Sequence, residues 1–159
     1  MNWVNVYGLM IISLIMIPNI IFAVKSKNGF KNSWKNKFVE VPEQIGRFGC
    51  FIFMIIAPPK LCGGFASASH LTAYLAINLS LVLIYCIIWY IYFNKNCIFR
   101  ALALSALPSV IFIFSAIMTR HIPLLVFSLI FAPCHILLSV KNCILSNSHR
   151  EENKHESRE

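Results

Sequence analysis

Five apolar stretches divide this chain, and the Lys and Arg residues between them fall on alternate connections. If each stretch crosses a bilayer, all but two of the 14 basic residues lie on one face, and only Lys60 and Arg120 lie on the other. Cytoplasmic loops of membrane proteins carry the excess of Lys and Arg. The pattern predicts an all-α, multi-pass integral membrane protein with about five transmembrane helices, an external N-terminus and a cytoplasmic C-terminus.

Composition agrees with that class. Hydrophobic residues make up 58% of the chain and charged residues 13%, whereas soluble domains carry about 25% charged residues. The formal charge of +8 comes from residues beside the apolar stretches, so we expect the lipid bilayer as their partner and no nucleic acid. Asp is absent while Asn, Lys, Ile and Phe are abundant. This usage resembles AT-rich bacterial genomes and predicts a bacterial cytoplasmic membrane.

The boundaries of the spans follow from hydropathy. A transmembrane helix needs about 20 mostly apolar residues. The second stretch is the shortest, with an uninterrupted apolar run only at 48–57, and a re-entrant segment is its alternative. That alternative would turn every later basic loop outward, so five crossings fit the charge pattern better. Within a transmembrane domain of residues 1–141, the predicted spans are 3–24, 42–59, 71–93, 101–119 and 122–140.

Two polar segments lie outside the spans. Residues 142–159 end in NSHREENKHESRE, which has no apolar side chains, and predict a disordered cytoplasmic tail. The connector 25–41 places Phe30, Trp34 and Phe38 at i, i+4 and i+8. This spacing fits either a short interfacial helix or a solvated basic loop.

Known catalytic and metal-binding patterns are missing from the sequence. The six cysteines form no C-x-x-C pair, so we expect no metal and no cofactor. Cys134 and His135 are adjacent, and neighbours on a helix point about 100° apart, which disfavours a shared metal. The G-x-x-G formed by Gly46 and Gly49 predicts close helix packing rather than a nucleotide loop.

Polar residues inside the apolar spans provide the main clue to a site, because ionisable groups at bilayer depth are costly and face the interior of the helix bundle. His135 is the leading candidate. We hypothesise that these groups form a polar pocket in the cytoplasmic third of the bundle. The alternative is hydrogen bonding between helices, worth about 1 kcal/mol per group. The pocket candidates are Asn19, Glu43, Arg47, Ser105, His135 and Ser139.

The fourth span carries a face of small residues. Ala101, Ser105 and Ser109 recur every four residues, a spacing that allows two helices to approach closely. This face predicts close approach of another helix and favours a chain that packs with itself or with a larger membrane protein.

Three functions remain open from the sequence. The first is a structural or accessory subunit that packs with itself or with a larger membrane partner. The second is a transport component that uses the pocket around His135. The third is a membrane-embedded enzyme acting on a lipid-like substrate, which the scarcity of convergent acidic and His residues disfavours. The accessory role is preferred because catalytic motifs are missing and the fourth span offers a packing face.

Overall fold

A computed structural model describes residues 3–25 and 34–156 of the chain, with side chains described as far as Ser148. Within these residues the fold is all-helical, with no strand. The helices are α1 (Val6–Lys25), α2 (Lys37–Ile55), α3 (Ala68–Tyr92), α4 (Ile98–Met118) and α5 (Ile122–Glu156).

Four of these helices are long and apolar enough to cross a membrane, which indicates a membrane protein. They are α1, α3, α4 and the part of α5 from Ile122 to Ser148. Helix α2 has 19 residues but a lower mean hydropathy. The charged residues of α2 are Lys37, Glu40, Glu43 and Arg47.

The five helices form a closed ring in the order α1, α2, α5, α4 and α3, with α3 packing back against α1. The contacts of α5 with α2 and with α4 are the most extensive. Apolar side chains from every helix fill the centre, including Ile11, Met54, Val82, Phe112 and Leu124. Each helix therefore has two neighbours around the ring and an outward surface, and α2 also contacts α4 across the ring.

Contacts between chain segments define the two ends of the bundle. At the first, which we call the N-terminal end, the Ala57 amide donates to the Trp3 carbonyl at 2.9 Å. The Gly64 amide donates to the Thr119 carbonyl at 3.1 Å at the same end. At the opposite end, the Asn142 side chain accepts from the Trp34 amide at 2.7 Å. Successive helices therefore run in alternating directions.

Charge separates between these two ends. Lys60 and Arg120 belong to the α2–α3 connection and the α4–α5 turn, at the N-terminal end. The other described Lys and Arg residues, apart from Arg47 midway along α2, lie toward the opposite end. They are on the last turn of α1, around the start of α2, on the α3–α4 connection, in the first turn of α4 and in the C-terminal part of α5.

Helices α1 and α2 begin elsewhere than the hydropathy predicts. The predicted first span starts at residue 3, but the Asn5 side chain accepts from the Gly8 amide at 3.2 Å and α1 starts at Val6. The predicted second span covers 42–59. The Asn36 side chain instead caps the start of α2, and the helix ends at Ile55. A capping residue outweighs hydropathy because it satisfies free amides of the first turn.

The connector 25–41 is only partly described, and residues 26–33 lie outside the described residues. Trp34 lies in a bend, while Phe38 belongs to the first turn of α2 and is 92% exposed. For residues 26–33 the choice between an interfacial helix and a solvated basic loop stays a prediction.

The C-terminal segment corrects a second expectation. Helix α5 continues through 142–156, where the sequence predicts a disordered tail. Cys143 is buried, and the Asn96 amide donates to Ser146 at 3.2 Å and to Asn147 at 3.1 Å. These contacts with the α3–α4 connection extend the helix past the apolar part of its sequence.

Candidate functional site

Three ionisable side chains meet between α2 and α5, and we call them the ion-pair cluster: Glu43, Arg47 and His135. Glu43 is completely buried. Its Oε1 atom accepts a hydrogen bond from His135 Nδ1 at 2.8 Å and from Arg47 Nε at 3.1 Å. A terminal nitrogen of Arg47 also pairs with Oε1. One carboxylate oxygen therefore binds donors from two helices.

The local sequence explains how the cluster assembles. Glu43 and Arg47 are four residues apart, so they lie on the same side of α2. Close contact between α2 and α5 then brings His135 to Glu43. A Cβ on Gly46 would lie 2.9 Å from backbone atoms of Phe131, and a Cβ on Gly49 would overlap the Phe127 ring. The close packing predicted from the G-x-x-G spacing is confirmed.

Burial within the cluster is uneven. The side chain of Arg47 is 36% exposed and that of His135 20% exposed, whereas Glu43 has no exposed surface. The Phe131 ring stacks on the His135 ring with centroids 4.5 Å apart. The second carboxylate oxygen of Glu43, Oε2, is buried without a hydrogen-bond partner. The cluster thus joins a buried charge to two groups that reach the surface of the chain.

The other pocket candidates lie apart from this cluster. Asn19 on α1 donates to the Tyr85 hydroxyl at 2.8 Å and to the Ile15 carbonyl at 2.9 Å. Neither of these hydrogen bonds joins Asn19 to the cluster.

The two serine candidates do not take part in the described contacts of the cluster. Ser105 is buried and donates to the Ala101 carbonyl of its own helix at 2.7 Å. Ser139 is half-buried on α5, four residues after His135.

The small-residue face of α4 is used within the chain. Ser105 and Ser109 are both 2% exposed, and Ala101 is half-buried. Ser109 donates to the Ser105 carbonyl at 2.8 Å, so the hydroxyls are satisfied along their own helix. Within the chain, Ser105 and Ser109 of this face pack inside the ring.

A second polar contact was not predicted. Asn78 on α3 is completely buried, and its side-chain oxygen accepts from Ser115 on α4 at 3.4 Å. Asn78 is visible in the sequence as an amide inside an apolar span, but Ser115 is one of several small residues of α4. Only the packing of α3 on α4 identifies it as the partner.

His121 is the other polar residue that sequence reasoning treated only as part of a turn. It is 2% exposed, and its Nε2 atom lies 3.2 Å from the Ile56 carbonyl. Its Nδ1 atom accepts from the Leu124 amide at 3.3 Å, so Nε2 carries the proton and donates. Burial lowers the pKa of His121 from its ordinary value of 6.5. The neutral ring links the α4–α5 turn to the end of α2.

Metal binding has no support in the described part of the chain, which holds no group of three or more His, Cys, Asp or Glu residues in metal-binding arrangement. No protein-family model, curated protein or solved structure matches this chain.

Proposed function

We propose that this chain is a five-span protein of the bacterial cytoplasmic membrane and a transport component for a small ion or polar solute. Its N-terminal end faces outward and its C-terminus faces the cytoplasm. The ion-pair cluster is its functional site. The observation that carries this proposal is the complete burial of Glu43 between Arg47 and His135.

The orientation is supported by the positions of the basic residues. Only Lys60 and Arg120 lie at the N-terminal end of the described chain. The positive-inside rule assigns the end with fewer Lys and Arg residues to the outside. The opposite end, with the ion-pair cluster nearer to it, then faces the cytoplasm.

The outward surface of α2 supports a fifth crossing. Val41, Ile45, Phe48 and Ile52 recur every three or four residues and are each at least 48% exposed. The charged Glu43 lies on the inward side with Gly46 and Met54. A spanning helix that is apolar toward lipid and polar toward the bundle has this pattern.

A functional role for the cluster follows from energetics. A charged group at bilayer depth costs at least about 2.5–3.5 kcal/mol on translocon-insertion scales. Two apolar helices could pack through Gly46 and Gly49 without any charge. We infer that the charges are kept for the chemistry they provide rather than for packing.

Transport currents across a solid-supported membrane test this proposal. Arg47→Ala and His135→Ala should each abolish the current driven by the transported solute, screened among inorganic ions and small polar solutes, while membrane insertion stays intact. His70→Ala and Lys37→Ala are the matched controls, since both side chains are exposed and lie away from the cluster. If the cluster variants behave as the wild type, the cluster serves packing only.

An accessory role is the second candidate. Between 17% and 39% of the residues in the four long apolar spans are buried within the chain. The remaining surface is large enough for lipid, a second copy or a larger membrane protein. Because Ser105 and Ser109 are buried in the ring, the partner would bind another face. Crosslinking in native membranes tests this role, and a chain that crosslinks to nothing there contradicts it.

A further inference from the structure

The two oxygens of the Glu43 carboxyl group have very different surroundings. Oε1 accepts from both Arg47 and His135, while Oε2 is buried with no hydrogen-bond partner. An unpartnered buried oxygen costs more when it carries charge than when it belongs to a neutral group. The surroundings of Oε2 therefore favour a neutral carboxylic acid, while the donors on Oε1 favour a carboxylate.

We propose that Glu43 is a proton-exchange site that loads and releases a proton through His135 on the cytoplasmic side. This inference rests on the proposed transport role and names the proton as an ion that the cluster binds. Geometry supports it: Glu43 has no route to solvent of its own, whereas His135 contacts Oε1 at 2.8 Å and is partly exposed. His135 is the link between the buried carboxylate and water.

The groups that act on Glu43 are few. Arg47 faces it from the same helix, and His135 and Cys134 act on it from α5. Helices α1 and α4 also pack against α2, and among the described residues neither contributes a charged or titratable group that acts on Glu43. The protonation of Glu43 therefore depends mainly on Arg47 and His135, the other two members of the cluster.

The exchange step balances without any further reactant. His135 Nδ1–H donates to Oε1 of the carboxylate, which fixes the Nδ1–H form of the ring. A proton from water binds Nε2 as the Nδ1 proton passes to Oε1. The products are a neutral carboxylic acid and a neutral imidazole with its proton on Nε2. Release reverses these two transfers, and one proton has then entered and left the cluster.

Charge changes by one unit in this step. The loaded cluster has a net charge of +1 because Arg47 keeps its proton. Arg47 is 36% exposed at its side chain, so water at the interface can solvate the guanidinium when the carboxyl group is neutral. The site can therefore hold either protonation state of Glu43.

Infrared difference spectroscopy of the full chain in lipid nanodiscs tests the proposal. The chain has only six carboxylate side chains, all of them Glu. As the pH falls from about 9 to 4, we expect a C=O band of a buried protonated carboxyl group that shifts in D₂O. The band should be absent in Glu43→Gln and present in Glu40→Gln, a control on the same helix.

A second variant keeps Glu43 in place and asks whether His135 carries the proton. His135→Gln can still hydrogen-bond to Oε1 but cannot exchange a proton with it. We expect hydrogen–deuterium exchange of the Glu43 carboxyl group to slow by about 100-fold or more, the lower end of what a positioned proton carrier contributes. Exchange at the wild-type rate would overturn the role of His135.

The remaining outcomes also decide the question. A folded wild-type protein with no such band across the pH range, or a band that persists in folded Glu43→Gln, overturns the proposal. If Glu43→Gln does not fold, the wild-type band and its exchange rate in His135→Gln carry the test. A titrating Glu43 with no effect of His135→Ala on transport currents would contradict the proposed transport role and leave proton exchange standing.

Discussion

The close approach of α2 to α5 makes a quantitative prediction for Gly46→Ala. The new Cβ would lie 2.9 Å from the N, Cα and Cβ atoms of Phe131, and ordinary contact begins at 3.4 Å. Backbone atoms cannot rotate away, so the helices must separate by about 0.5 Å or more. If that shift is transmitted to the cluster, the 2.8 Å contact between His135 and Glu43 lengthens past the usual upper limit of about 3.2 Å for an N–H···O hydrogen bond.

Three effects set the change in the free energy of unfolding, two that destabilise the fold and one that stabilises it. Overpacking costs about 1–3 kcal/mol. Replacing Gly by Ala within a helix returns about 1 kcal/mol. A weakened hydrogen bond between His135 and Glu43 costs about 1 kcal/mol more. We therefore expect Gly46→Ala to lower the free energy of unfolding by about 1–3 kcal/mol.

Unfolding by SDS in mixed detergent micelles, followed by circular dichroism, measures this change. Gly63→Ala is the milder comparison: its Cβ would lie 3.1 Å from Cβ and 3.2 Å from Cδ of the exposed Arg120, so the shortfall from ordinary contact is smaller than at Gly46. We expect the control to stay within about 0.5 kcal/mol of the wild type. Gly46→Ala as stable as Gly63→Ala would refute a backbone contact between α2 and α5.

Three further predictions concern other parts of the bundle. Because burial lowers the pKa of His121, the unfolded chain binds the proton before the folded chain does as the pH drops below 6.5. Below that pH the free energy of unfolding should fall by up to about 1.4 kcal/mol per pH unit. If His121→Gln shows the same dependence of unfolding free energy on pH as the wild type, this prediction is wrong. Tyr85→Phe removes the acceptor of Asn19 and should lower the free energy of unfolding by about 1 kcal/mol, whereas a neutral result in the same SDS assay would show that Asn19 finds another partner. Reporter fusions at residues 35 and 148 should both report the cytoplasm, and opposite sides would reject the five-span orientation.

The fold was predictable in outline because hydropathy and charge act over whole helices. Apolar stretches of about 20 residues identify helices regardless of their exact neighbours. Helix ends depend on single hydrogen bonds instead. Asn36 caps α2, which begins at Lys37, five residues before the predicted span. Asn96 stabilises the start of the C-terminal extension of α5 through Ser146 and Asn147. A window average cannot detect such contacts.

The site was predictable to the extent that helical spacing determines it. Glu43 and Arg47 share a side of α2 at any helix rotation, so their pairing follows from sequence alone. The meeting of His135 with Glu43 depends on which helices are neighbours in the ring. Asn19 and Ser105 are at comparable depths but face Tyr85 and their own backbone, respectively. The position of a residue along its helix can be read from the sequence, whereas the neighbouring helix that its side chain meets cannot.

Helix α2 combines these points, because the charges that lower its hydropathy are the charges that form the site. Within the ring, α1 and α5 flank α2, so a polar side can be buried while the other side stays apolar. Glu43 is fully buried and Phe48 is 61% exposed, on opposite sides of one helix. Hydropathy averages the two sides, so α2 falls short of the apolar signal that α1, α3, α4 and the Ile122–Ser148 part of α5 reach. A weak transmembrane signal in a small bundle is, by this reasoning, where an ionisable site should be sought first.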